Sequence, residues 1–175
     1  MLMAVIFAKK EISWPEGAGD TGLIIAILLI QILGAGGAFL MSRVSEKIGN
    51  INTLSISVAI WIFVCVAAYI VQSPSQFYVL AAFVGLVMGG VQALARSTYS
   101  KLLPETEDHA SYFSFYDVTE KIGIVVGTFT FGFLEATLGS IRYSVISIAV
   151  FFIVGLILLF LVPKIKSTNE LKTAP

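Results

Sequence analysis

Asp117, Glu120 and Lys121 stand within one short stretch of an otherwise apolar segment. Spacings of three and four residues put all three on one helix face. Ionisable groups are costly inside an apolar helix, so they meet a partner or a water-filled cavity. Two chemistries fit. The cluster lines a path for a solute or a proton, with Arg96 as its partner. Alternatively, it is an ion-pair network at the cytoplasmic interface that locks neighbouring helices together. Gln92 stands one helical turn before Arg96, on the same face. Gln31 lies in the middle of another uncharged run, where an amide serves as interhelical glue or as a ligand contact.

Enzyme chemistry has no support. His109 and Cys65 are the sole histidine and cysteine, and they fall on different segments. No metal-ligand set, nucleophile elbow or phosphate loop is present, so neither a metal nor another cofactor is expected. His109 follows Asp108 in a loop, which suits a solvated or helix-start role.

The elements that carry these residues follow from composition. The 175 residues are 57% hydrophobic and 13% charged, with a mean hydropathy of +0.92. A soluble domain carries roughly 25% charged residues, and a disordered chain is poor in apolar ones. Eleven basic residues balance eleven acidic ones, which excludes a nucleic-acid partner that needs a basic surplus. A multi-pass integral membrane protein remains, with lipid as its surroundings. Charge-free or charge-poor runs at about 22–42, 51–72, 77–96, 112–135 and 143–162 are each long enough to cross a hydrocarbon core about 30 Å thick. They must be helices, because lipid offers no partner to an unsatisfied backbone group. Residues 1–8 are apolar but too short to cross. They read as a frayed start or as the end of a span. Lys9 and Lys10 follow this run instead of preceding it, which argues against a signal peptide. Residues 1–163 thus form one transmembrane unit, and 164–175 a polar tail.

Pro74 suits a helix start and Ser140 an N-cap. Gly85 and Gly89, and likewise Gly123 and Gly127, have the four-residue spacing that lets helices approach closely. The Gly34–Ala38 patch adds small residues that could also permit bending. With the loop after 22–42 inside, eight basic residues lie on the cytoplasmic side against three outside. The tail is then cytoplasmic.

The loop from Ser42 to Asn50 resembles the loop signature of major facilitator superfamily transporters. In that signature a small residue is followed four later by an acid, then a base, any residue, a glycine and a base. Ser42 stands for the usual glycine, Glu46 for the aspartate, and Lys47 and Gly49 fit. Asn50 departs from the final base. A longer stretch, from Gly89 to Gly123, resembles the branch of the superfamily that contains fungal vacuolar amino-acid effluxers and many bacterial transporters. The resemblance runs through Gln92, Arg96, Ser97, Pro104, Phe113, Tyr116, Asp117, Glu120, Lys121 and Gly123.

The resemblance implies an all-α membrane fold of twelve helices in two halves, of which this chain matches the C-terminal six-helix half. It holds five full spans and the end of one more. The polar spans then correspond to cavity-lining helices eight, ten and eleven, and the charge-free ones to outward-facing nine and twelve. It also implies transport of a small solute by alternating access in a bacterial inner or cell membrane. The solute class would be amino acids, with a proton as candidate coupling ion and the N-terminal half or a second copy as partner. Gln31, Gln92, Arg96, Asp117, Glu120 and Lys121 would line the path. Ser42, Glu46, Lys47 and Gly49 would form a cytoplasmic gate, with Glu46 near the N-terminus of helix eleven and its dipole. The competing expectation is a stand-alone membrane scaffold without transport activity.

Overall fold

The computed structural model describes residues 2–15, 17, 19–104 and 108–162. The polar tail from residue 164 onward lies outside the described residues. Among the described residues six helices follow in order: α1 (Leu2–Glu11), α2 (Gly19–Ile48), α3 (Asn50–Ile70), α4 (Pro74–Leu102), α5 (His109–Leu138) and α6 (Ile141–Leu161). The fold is that of an all-α membrane protein. Helices α2 to α6 are long and apolar enough to cross a membrane. Successive helices reverse direction, so the bundle has two ends. One holds Arg142 with the tips of α1 and α3. The other holds Arg96 with the tips of α2 and α4.

The long helices exceed the apolar runs from which they were expected. At 29 residues, α4 reaches about 44 Å. That is more than the hydrocarbon thickness, so its terminal turns continue into the interface. Local signals set the ends. Ser73 accepts from the Gln76 amide, the Gln76 side chain returns to the Ser73 amide, and Pro74 opens α4. Asp108 caps α5 by accepting from the Ser111 amide at 3.2 Å. Ser140 occupies the N-cap of α6, though its side chain makes no capping bond. Gly139 closes α5 in the left-handed region, at φ 65°. Gly49 turns the chain between α2 and α3 at φ 86°, a conformation that only glycine adopts without steric cost.

The tightest packing joins α2 and α4. A Cβ on Gly85 would meet the Ile30 carbonyl oxygen at 2.6 Å. One on Gly37 would collide with the Leu86 backbone, and one on Gly89 with that of Gly34. Backbone lies on backbone, as small residues permit. The Gly34–Ala38 patch is used for this contact, and α2 runs through it as a continuous helix. Gly123 and Gly127 differ: a Cβ at either would meet nothing.

The apolar core sits toward the Arg142 end. It gathers Phe7 and Ala8 of α1, Leu23 and Ala26 of α2, Ala68 of α3, Phe77 and Ala81 of α4, Phe131 of α5 and Ile141 of α6. Toward the Arg96 end, polar groups hold α3 to α4. Asn50 donates to Ser97 and Thr98 and accepts from Lys101. Helix α5 is the least embedded element. Phe131 is its one buried residue, and among the described residues α6 supplies its main packing partner. Large apolar side chains such as Phe115, Ile122 and Phe129 are left exposed along it.

Candidate functional site

The α2–α4 contact fixes where the polar side chains of both helices point. Ile30, Gly34, Gly37 and Met41 of α2 meet Gly85, Gly89 and Gly90 of α4, in parallel order. At about 100° per residue, Gln31 lies about 90° round α2 from its contact stripe. Gln92 lies about 90° round α4 in the opposite sense. On two parallel helices these opposite rotations lead to the same side. Both glutamines are exposed there. Arg96, one turn after Gln92, shares that side. Thr98, which bonds Asn50 of α3, lies on the other.

Arg96 reaches from this face to α5. Its Nη2 lies 3.2 Å from Asp117 Oδ1 and 3.3 Å from Glu120 Oε2. Its guanidinium carbon stands 5.7 Å from the Tyr116 ring centroid, within cation–π range. Tyr99, almost one turn further along α4, packs on Phe113 and Tyr116 of α5. Its hydroxyl donates to the Tyr112 carbonyl at 2.8 Å. These side chains link two helices that share little packed backbone. One cation thus serves two carboxylates. All three groups are partly exposed, which suits a joint that water can reach.

Lys121 does not join this bridge. With Asp117 it borders an open groove of about 400 Å³ on α5, walled by Val118, Ile122, Val125 and Val126. The groove surface is almost wholly apolar, with Asp117 and Lys121 at its border.

The loop residues have separate settings. Glu46 and Lys47 are exposed at the tip of α2. Neither pairs with another described residue, and among the described residues α2 makes at most marginal contact with α5. The structure therefore does not bring Glu46 to the N-terminus of α5. The Ser42 carbonyl accepts from Ser45 Oγ at 2.7 Å. Gly49 supplies the turn. Asn50, where the signature has a base, is buried in bonds to α4, a setting that suits an amide better than a charge. Outside the spans, the Ser111 hydroxyl and amide hold the Asp108 carboxyl below its usual range.

A second ionic group, at the opposite end, was not singled out from sequence. Arg142 of α6 donates to Glu11 of α1, to the Tyr69 carbonyl, and to the Val71 carbonyl at 3.1 Å. Lys10 of α1 pairs with Glu135 of α5. These partners stand 125 and 131 residues apart, so no local spacing signals them.

Residues 1–172 match the family described as vacuole effluxer Atg22 like. A protein named uncharacterized MFS-type transporter YxiO, from Bacillus subtilis (strain 168), is 29% identical over 154 residues. That match covers 87% of this chain and 36% of the relative. Autophagy-related protein 22-1 of Phaeosphaeria nodorum is 30% identical over 192 residues, covering 97% of this chain and 32% of its own. Autophagy-related protein 22 of Eremothecium gossypii is 28% identical, over 81% of this chain and 29% of its own. The chain thus spans about a third of the length of the curated relatives it matches. No solved structure matches it.

Proposed function

Because the chain belongs to the vacuole effluxer Atg22-like family, we propose that it forms the C-terminal half of a transporter that moves a small solute by alternating access. The two halves rock about a site near the midplane. The carrying observation is the Arg96 bridge to Asp117 and Glu120. It joins two helices through exposed side chains, on the side where Gln31 and Gln92 are also exposed. A joint of this kind opens at low cost, since exposed ion pairs contribute roughly 0–1 kcal/mol each. A scaffold packs through small residues and needs no such polar face.

The eight-to-three distribution of basic residues supports a cytoplasmic position for the Arg96 end and for the tail. On that reading the bridge belongs to the cytoplasmic gate, together with the Ser42–Gly49 loop. Glu46 meets α5 in another state of the cycle. Amino acids are the proposed solute class. Lys121 offers a partner to a carboxylate and the apolar wall suits a hydrocarbon side chain, while Asp117 takes an ammonium once the Arg96 bridge opens. Asp117 and Glu120, which both accept from Arg96, are the groups through which proton coupling is proposed.

The test is uptake of pooled amino acids by the intact transporter in vesicles, with a pH gradient imposed or collapsed. Arg96→Ala and Glu46→Gln should each insert normally and lower flux. For Arg96→Ala the expected loss is up to about fivefold for each of the two pairs, the effect of an exposed ion pair worth up to about 1 kcal/mol. Full flux in both variants would sink the gate. No amino-acid flux under either gradient would sink the solute assignment.

A further inference from the structure

The two ends of α5 are held by different means. Its N-terminal half meets α4 through Arg96 and Tyr99, and the residues around Asp117 are exposed. Its C-terminal half carries Phe131, which is 3% exposed and part of the apolar core. There Glu135 pairs with Lys10 of α1. The tight Gly139 turn leads straight into α6, where Arg142 is fastened to the tips of α1 and α3. The Arg142 side chain is 18% exposed and Glu11 24%, against 58% for Arg96; Glu135 is 23% exposed but Lys10 60%, so buried Phe131 and the Gly139 turn share the anchorage of α5 with that pair. Arg142 has carbonyl partners as well as a carboxylate, so removing any one of them leaves a poorly solvated charge. Arg96 has water as an alternative partner.

We propose that Arg142 and Glu135 are positioning residues that make this end of the bundle a fulcrum for α5. Arg142 ties α1, α3 and α6 into one block, and the Glu135–Lys10 pair attaches α5 to it. Motion of α5 is thereby confined to its Arg96 half. This rests on the gate reading above and adds to it the fixed point about which the gate turns. Glu11 and Lys10 belong to the device as partners, and none of the four residues touches the groove or the Arg96 bridge.

Spin-label distances in the intact transporter, in lipid nanodiscs with Cys65→Ser, test this without reference to transport. One label pair replaces Phe115 of α5 and Ile56 of α3, near the Arg96 end. The other replaces Phe133 of α5 and Phe63 of α3, near the Arg142 end. All four positions are exposed. Arg96→Gln should broaden the first distribution and shift it to longer distance while leaving the second unchanged. Lys10→Glu should broaden the second, and adding Glu135→Lys should restore it. The restored double variant separates a fulcrum from general damage to folding. Equal breadth of both pairs in the parent protein, or a second pair that Lys10→Glu leaves narrow, would overturn the proposal. Distances that behave as expected in a protein without amino-acid flux would leave the fulcrum standing and remove the solute assignment.

Discussion

Arg96 faces two carboxylates with a single charge, and its spacing already announced the arrangement. Asp117 and Glu120 share a helix face, and Gln92 and Arg96 share another, so either face alone was legible. Their meeting was open, because it requires α4 and α5 to approach at one end. Gly49 shows the reverse. Its identity came from the loop signature, and φ 86° supplies the physical reason. Gly49→Ala should lower stability by about 1–3 kcal/mol, the cost of a Cβ at positive φ with extended ψ, as a fall in melting temperature in detergent. Asp108 gives a pH-dependent cap. Its carboxyl is held below the usual range, so its contribution is present above the ordinary aspartate pKa and is lost as pH falls through the lowered one. Amide exchange at Ser111, corrected for intrinsic rate, should therefore speed up only at acid pH. Asp108→Asn should flatten that profile.

At the scale of elements, glycine spacing proved half informative. Gly85–Gly89 and Gly123–Gly127 look alike in sequence, yet the first pair lies against α2 backbone and the second meets open space. Spacing says that a close approach is possible, and the partner helix decides whether it happens. Gly89→Leu should cost about 3 kcal/mol or prevent stable packing of α2 on α4. Gly127→Ala should leave stability unchanged or raise it by up to about 1 kcal/mol through helix propensity. Thermal unfolding of the two purified variants checks the contrast. Helices α2, α4 and α5 overran the expected spans because helix geometry continues past the last apolar residue wherever interfacial water can solvate the side chains. Lys101, exposed in the last turn of α4, illustrates this.

The whole molecule is unevenly knit. An apolar core and the half-buried Arg142–Glu11 pair close one end, while exposed ion pairs and the buried Asn50 bonds to α4 close the Arg96 end. Its outer surface is rich in large apolar side chains, as expected where lipid or further protein replaces water. A half with one wall of a cavity should not transport by itself. Reconstituted without the rest of a transporter, the chain should insert and give no saturable amino-acid flux; the intact protein should give it. Saturable flux from the chain alone would contradict the two-halves mechanism.

What the sequence determined by itself is what depends on local composition and short spacing. This includes the membrane class, the number and kind of spans, the helix start at Pro74, and the polar faces of α4 and α5. The stretch from Gly89 to Gly123 carried the family. The tertiary structure alone decided which glycines are packed, that Arg96 bridges both carboxylates, and that Arg142 and Glu135 fasten the opposite end. Those features pair residues on different helices, up to 131 positions apart. Such pairings depend on how helices cross and rotate against one another, and a one-dimensional pattern of charge and hydropathy does not encode that rotation.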